Sequence, residues 1–157
     1  MMDFGCHRIE VLMNLFGSVE RAEGITSNAA FSREVEDTAA ALLRFESGCC
    51  GTITITHAAT EPRDTLEIYG TKGSIHIPVL NKGKISVVVN GETRSESHPP
   101  AENTHMPLIE DFATAVQNGL PPAVDGDTGR QVAAIIDQIY AKGDDEKALI
   151  DHEQYNT

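Results

Sequence analysis

The chain has no tryptophan, and Phe, Trp and Tyr together make up 5 % of its 157 residues. Any core must therefore be built mostly from aliphatic side chains. Cysteine is scarce: Cys6, Cys49 and Cys50 are an odd number, two of them adjacent, with no C-x-x-C pair. That excludes a disulfide framework and a paired-cysteine zinc site, and reduced thiols point to a cytoplasmic setting. Positive charge is also short, 12 Lys and Arg against 24 Asp and Glu, a formal net charge of −12. Such a chain lacks the basic face that phosphate backbones require, so no nucleic-acid partner is expected. No apolar run approaches the roughly 20 residues of a membrane span, and no apolar signal region stands at the N-terminus.

Sequence motifs are missing too. No G-x-G-x-x-G follows a strand-like run, so the residues themselves offer no dinucleotide cradle. There is no G-x-S-x-G elbow, no H-E-x-x-H and no EF-hand loop, and the six histidines have no metal-ligand spacing. Gly70-Thr71-Lys72-Gly73-Ser74 lacks the spacing of a phosphate loop and lies between strand-like runs, which makes it a hairpin turn. The length suits one domain. It is too short for a cofactor domain and a substrate domain, each of which needs about 100 residues.

What is present is a change of hydrophobic period. Ile9, Leu12, Met13 and Phe16 fall at i, i+3, i+4 and i+7, one face of a helix over 4–16 that Gly17 ends. A weak strand pattern covers 18–26. From Thr38 the period becomes two: 38–45 and 52–56 read as a hairpin turning at Ser47-Gly48, with isoleucines on one side and Thr52, Thr54 and Thr56 on the other. Runs at 66–69 and 74–79 flank the Gly70–Gly73 turn. Runs at 85–89 and 92–97 flank Asn90-Gly91, a strong hairpin signal. Helical spacing returns at Leu108, Ile109, Phe112, Ala113 and Val116, stopped by Asn118-Gly119. It returns again at Val132, Ile135, Ile136 and Ile139, with Asp127 as the expected N-cap. Residues 144–157 read as a polar tail. Helix, strand block and helices in that order predict an α+β domain, an open-faced, mostly antiparallel sheet with helices on one face.

On the first helix Asp3, His7, Glu10 and Asn14 are spaced by four, three and four, a polar stripe. A carboxylate that orients an imidazole makes a general base near neutral pH. The same spacing also suits an ordinary solvated helix face. Cys6, beside His7, reads as a structural thiol. Arg63 can reach a substrate hydroxyl or carboxylate, or pair with a neighbouring acid.

Five segments, in order, resemble the C-terminal domain of the Gfo/Idh/MocA oxidoreductases, the glucose–fructose oxidoreductase and inositol dehydrogenase family. Asp3-Phe-Gly-Cys-His7-Arg-Ile-Glu10 is similar to the family's D-x-G-x-H-x-x-D, with Glu in the last place. Glu36-Asp37 before the 38–45 run resembles its acidic pair and strand. Leu66–Ser74 resembles its G-T-x-G-S hairpin. Phe112–Ala115 and Gly119-x-Pro121 resemble its penultimate helix and stop. The resemblance spans about residues 3–143. It implies Asp3 and His7 as catalytic residues, Glu10 and Arg63 as substrate contacts, and substrates among sugars, inositols and polyols. It also implies NAD or NADP in the intact enzyme, bound by a Rossmann portion and not by this chain. A truncated, split or mis-started form is then expected, inactive alone, or a non-catalytic dimerisation or binding module. The expected partners are a second copy through the open sheet face and a separate Rossmann-domain chain.

Overall fold

The change of period at Thr38 sets the architecture. The computed structural model describes the backbone of residues 1–154 and the side chains of residues 1–141. Its elements are α1 (Gly5–Phe16), β1 (Val19–Ser27), β2 (Thr38–Phe45), β3 (Cys50–Thr56), β4 (Leu66–Gly70), β5 (Gly73–Ile77), β6 (Lys84–Val89), β7 (Glu92–Ser97), α2 (Met106–Asn118) and α3 (Gly126–Gln154). The antiparallel α+β class is as the sequence predicts. The strands, however, form two separate ladders, β1-β2-β3 and β4-β5-β6-β7. The chain divides accordingly into two compact units, Met1–Ala59 with Val124–Thr157, and Thr60–Ala123.

In the first unit one ladder face is covered and the other is open. Ala39, Ala41, Leu43 and Phe45 of β2 are buried, while Leu42 between them is 62 % exposed. Across the ladder Ala41 lies opposite Gly24 on one side and Ile53 on the other. Against this face pack Ile9 of α1 and Val132, Ile135, Ile136 and Ile139 of α3, all buried. The aromatic pair Phe16 and Phe45, ring centroids 5.4 Å apart, closes one end. Small residues at Ala22, Gly24, Ala39 and Ala41 leave room for the branched side chains of α3. A Cβ at Gly24 would run into Ile139 Cγ2, and only hydrogen lets the helix come so near the strand. The open face carries Ile25, Ala40 and Thr54 in one row and Glu23, Leu42 and Thr52 in the next.

The second unit is a four-stranded meander. Its tightest turn, Asn90-Gly91, has both residues in the left-handed region, φ 53° and 81°, the twist that a two-residue hairpin needs. Val87 is buried on one face beside Ile75 and Ile68 in register. The opposite face is polar, with Glu67, His76 and Ser86 in one row and Tyr69, Ser74 and Val88 in the next.

Three expectations need correction. The N-cap of α3 is Asp125, not Asp127: its carboxylate accepts the Thr128 N–H at 2.9 Å. Asp127 instead sits in the first turn, bonded to Arg130 and Gln131. Both positions are aspartate, and only the preceding backbone decides which one caps. The helix also runs on to Gln154, into the region read as a polar tail, because Ala, Lys, Glu and Leu there are good helix formers. Residues 155–157 lie outside the described residues. Finally, the apolar stripe of α2 is not core: Leu108, Ile109, Phe112 and Val116 are 56–64 % exposed.

Gly24→Ala should lower the stability of the protein by about 1–3 kcal/mol through overpacking against Ile139. Urea unfolding measures this, and a change below about 0.5 kcal/mol would show that α3 has room to withdraw.

Candidate functional site

The best-supported polar constellation in the first unit begins before α1, not on it. Residues 2–4 form a turn and the helix starts at Gly5, whose N–H donates to the Met1 carbonyl at 2.9 Å. A Cβ at Gly5 would collide with Met1 Sδ. The glycine of the D-x-G-x-H segment thus lies directly under the Met1 side chain. Asp3 is therefore in the turn, and the helical stripe Asp3–His7–Glu10–Asn14 loses its first member. The Cys6 thiol donates to the Asp3 carbonyl at 3.2 Å, a structural role.

The imidazole that Asp3 meets is His57. Asp3 Oδ2 lies 3.8 Å from His57 Nε2, and both side chains are solvent-accessible. The Phe4 ring stands against the His57 ring, centroids 5.1 Å apart, and fixes its orientation. The sequence gives no spacing signal for this pair, because 54 positions separate its members. The only hint is that His57 ends a strand that pairs with the residues after Glu36-Asp37. His7 is exposed on α1 and Glu10 is half-buried there. Arg63 belongs to the second unit, where it pairs with Glu61 at 3.3 Å, both largely exposed.

The acidic pair supports this constellation from beneath. The His57 N–H donates to the Asp37 carbonyl at 2.8 Å. The Asp37 carboxylate, buried, accepts the Ala30 and Phe31 N–H groups at 2.7 and 3.0 Å and the Thr38 hydroxyl at 3.0 Å. Burial pushes its pKa up, but those three donors outweigh it and hold the carboxyl below its usual range. Glu36 accepts from the Met1 amine and from the Tyr140 hydroxyl of α3. Burial opposes its charge as well, yet the amine and the phenol bring its pKa below the ordinary value. The Tyr140 hydroxyl is pushed up to about 12 by burial first, then by its hydrogen bond to Glu36 and by the Glu36 charge.

With the geometry in place, the comparisons can be read. Residues 1–76 match the family model of the GFO/IDH/MocA C-terminal domain. Over those 76 of its 157 residues the chain is similar to that domain. A D-apiose dehydrogenase of Paraburkholderia graminis is 22 % identical over 88 % of this chain and 41 % of its own length. Among solved structures, levoglucosan dehydrogenase in complex with NADH and levoglucosan superposes with a TM-score of 0.80 at 23 % identity, covering 92 % of this chain and 48 % of that one. The UDP-N-acetylglucosamine 3-dehydrogenase of Acidithiobacillus ferrooxidans gives 0.78 at 20 % identity, covering 90 % and 46 %. The fold is shared, and the chain spans about half the length of the relatives it matches, or less.

The NADH of the levoglucosan dehydrogenase complex raises the question of fit. Among the described residues no helix follows a strand through a glycine-rich turn. A residue carboxylate, Asp125, already occupies the N-terminus of α3, and α2 begins with Pro107 in its first turn. These residues do not make a dinucleotide cradle. Among them, too, no group of three His, Cys, Asp or Glu is set to hold a metal ion, and no helix is long and apolar enough to cross a membrane.

Glu36→Gln should destabilise the protein by about 1–3 kcal/mol near pH 7, since the Met1 amine then faces an uncharged acceptor. The folded-state pKa of Glu36 is lowered, so its contribution is complete above the unfolded value of 4.5 and is lost as pH falls through the folded value. Denaturant midpoints between pH 7 and pH 3 should therefore fall less steeply in the variant than in the wild type. Equal slopes would show that this carboxylate is not held in the folded state.

Proposed function

We propose that this chain is the substrate-side and self-association half of an NAD(P)-dependent sugar or polyol dehydrogenase, working with a Rossmann portion that binds the nicotinamide cofactor. One observation carries the reading: a domain of the GFO/IDH/MocA C-terminal type stands at residues 1–76 of a chain about half as long as the dehydrogenases it matches. The intact enzyme's cofactor would remove hydride from a substrate carbinol. The task left to this chain is the hydroxyl proton. In this reading His7 takes that proton, as the resemblance implies, while the Asp3 carboxylate and the His57 imidazole supply further polar groups. Glu10 and Arg63 are proposed as substrate contacts. The three free thiols suit a cytoplasmic setting.

Two surfaces support the partners in this proposal. The open face of the β1-β2-β3 ladder bears Ile25 and Leu42, 57 % and 62 % exposed, among threonines, a composition suited to packing on a second copy around a twofold axis. The exposed stripe of α2 is an apolar helix face of the kind that a further domain covers. A second reading, a non-catalytic dimerisation or binding module, draws on the same two apolar surfaces.

Calorimetry with NADH and NADPH tests the division of labour. The chain alone should bind neither with a micromolar dissociation constant, and such binding would overturn the reading. Mixing with a separate G-x-G-x-x-G chain should restore sugar-dependent NAD(P) reduction, and His7→Ala should then lower turnover roughly 10²–10⁴-fold. Failure of every such mixture favours the non-catalytic module.

Light scattering tests the self-association. At about 100 μM the chain should be a dimer, and Thr54→Lys, which places like charges across the twofold contact, should make it monomeric. A wild-type monomer at that concentration would rule out the sheet-face contact.

A further inference from the structure

The second unit holds an arrangement that the proposed reaction does not use. Tyr69 is 71 % exposed, more than any other large hydrophobic or aromatic side chain among the described residues. It is nevertheless fixed. Its hydroxyl donates to Glu67 Oε2 at 2.6 Å, and its ring meets the His76 ring edge-on, centroids 5.6 Å apart at 80°. His76 is itself held, with Nε2 2.9 Å from Ser74 Oγ and Nδ1 3.7 Å from Glu67 Oε1. These four residues form a cross-strand square, because Glu67 lies opposite His76 and Tyr69 opposite Ser74. An exposed aromatic side chain ordinarily gains little from being held in one rotamer. Here one hydrogen bond to Glu67 and one ring contact with His76 hold it beside a concavity of about 590 Å³, formed where the Gly70–Gly73 and Asn90-Gly91 turns lie side by side.

The lining of that concavity decides what chemistry it fits. Besides the Tyr69 ring and the apolar Val88 and Val89 it presents Thr71, Ser74 and Asn90, short side chains that both donate and accept hydrogen bonds, and at Gly91 bare backbone with open space beside it. Lys72 is its one cation, and Glu67 stands next to Tyr69, so the site has no excess of positive charge to hold a phosphate. A fatty or aromatic ligand would strand the hydroxyls and the amide. A neutral polyol satisfies both parts: its hydroxyls exchange hydrogen bonds with Thr71, Ser74 and Asn90, and its C–H face lies on the electron-rich face of the ring. We infer that this end of the β4–β7 sheet is a binding site for a neutral, polyhydroxylated ligand, a sugar ring seated on Tyr69. The site lies in a different unit from Asp3 and His57, and its existence does not depend on the dehydrogenase reading.

Amide-resolved NMR of the full chain is the test. The probes are methyl β-D-glucopyranoside, methyl β-D-galactopyranoside and methyl α-D-mannopyranoside, with inorganic phosphate as the anionic comparison. At least one glycoside should give saturable shifts at the Gly70, Gly73 and Gly91 amides. Tyr69→Ala should weaken that binding at least about tenfold, while Tyr69→Phe, which keeps the ring and loses only the tie to Glu67, should stay within about threefold. Unchanged amide positions for Ile75 and Val87 in both variants establish that the sheet is intact. Asp3→Asn should leave the shifts as they are, which separates this site from the proposed substrate site. The inference is overturned if no glycoside gives saturable shifts, if Tyr69→Ala binds as the wild type does, or if phosphate alone moves these amides.

Discussion

The closest approach of helix to strand in the first unit, Ile139 of α3 against the bare backbone of Gly24, governs what surrounds it. Seating Ile139 there leaves it fully buried and fixes both the height and the rotation of α3 over the ladder. The next residue is Tyr140, whose hydroxyl then falls on Glu36. Glu36 precedes Asp37, whose carbonyl receives the His57 N–H, and His57 is the side chain that faces Asp3. A packing contact made of a methyl group and a missing Cβ thus leads, through three polar contacts and one peptide link, to the Asp3–His57 pair at the surface. The order of energies is sensible. The apolar contact supplies the larger stabilisation, of the order of 1.5–3 kcal/mol for a fully buried isoleucine. The exposed Asp3–His57 pair by itself supplies little.

That order explains why the acidic pair Glu36-Asp37 is built as it is. Two adjacent carboxylates repel, and burial opposes the charge on each. Alternation along an extended backbone sends them to opposite sides. Glu36 finds an ammonium and a phenol, and Asp37 finds two backbone amides and a hydroxyl. Each is satisfied separately, so the pair ties four segments together: the stretch before α1, α3, the loop at 28–33 and the end of β3.

Patterns that depend on near neighbours were legible in the residues alone. The alternation in 38–56 gave the β2–β3 hairpin and its buried side, because period two admits no other assignment once Ile53 and Leu43 must be covered. Asn90-Gly91 gave its turn, because both positions need positive φ. Patterns that depend on distant partners were not legible. Asp3 reads as a partner of His7 at helical spacing, but Asp3 lies in the turn before the helix and meets a histidine 54 positions away. The division into two ladders was equally hidden: the strand runs look alike, and nothing in the 58–64 segment states whether β4 continues the sheet of β3.

The stripe on α2 is a different kind of mismatch between pattern and burial. Its spacing is that of a core-facing helix, yet Phe112 and Val116 are 58 % and 64 % exposed. Propensity does not account for this, since a solvated helix gains nothing from four large apolar residues on one side. The open face of the β1-β2-β3 ladder differs: its leucine and isoleucine are interleaved with threonine and charge, a mixture that tolerates water. The two surfaces therefore have unequal needs. The sheet face can exist in either a monomer or a dimer, and its state depends on concentration. The α2 stripe is a standing apolar cost in the isolated chain, and it grows with every large side chain on it. Any surface that covers such a stripe removes that cost, whether it belongs to a further domain or to a separate partner.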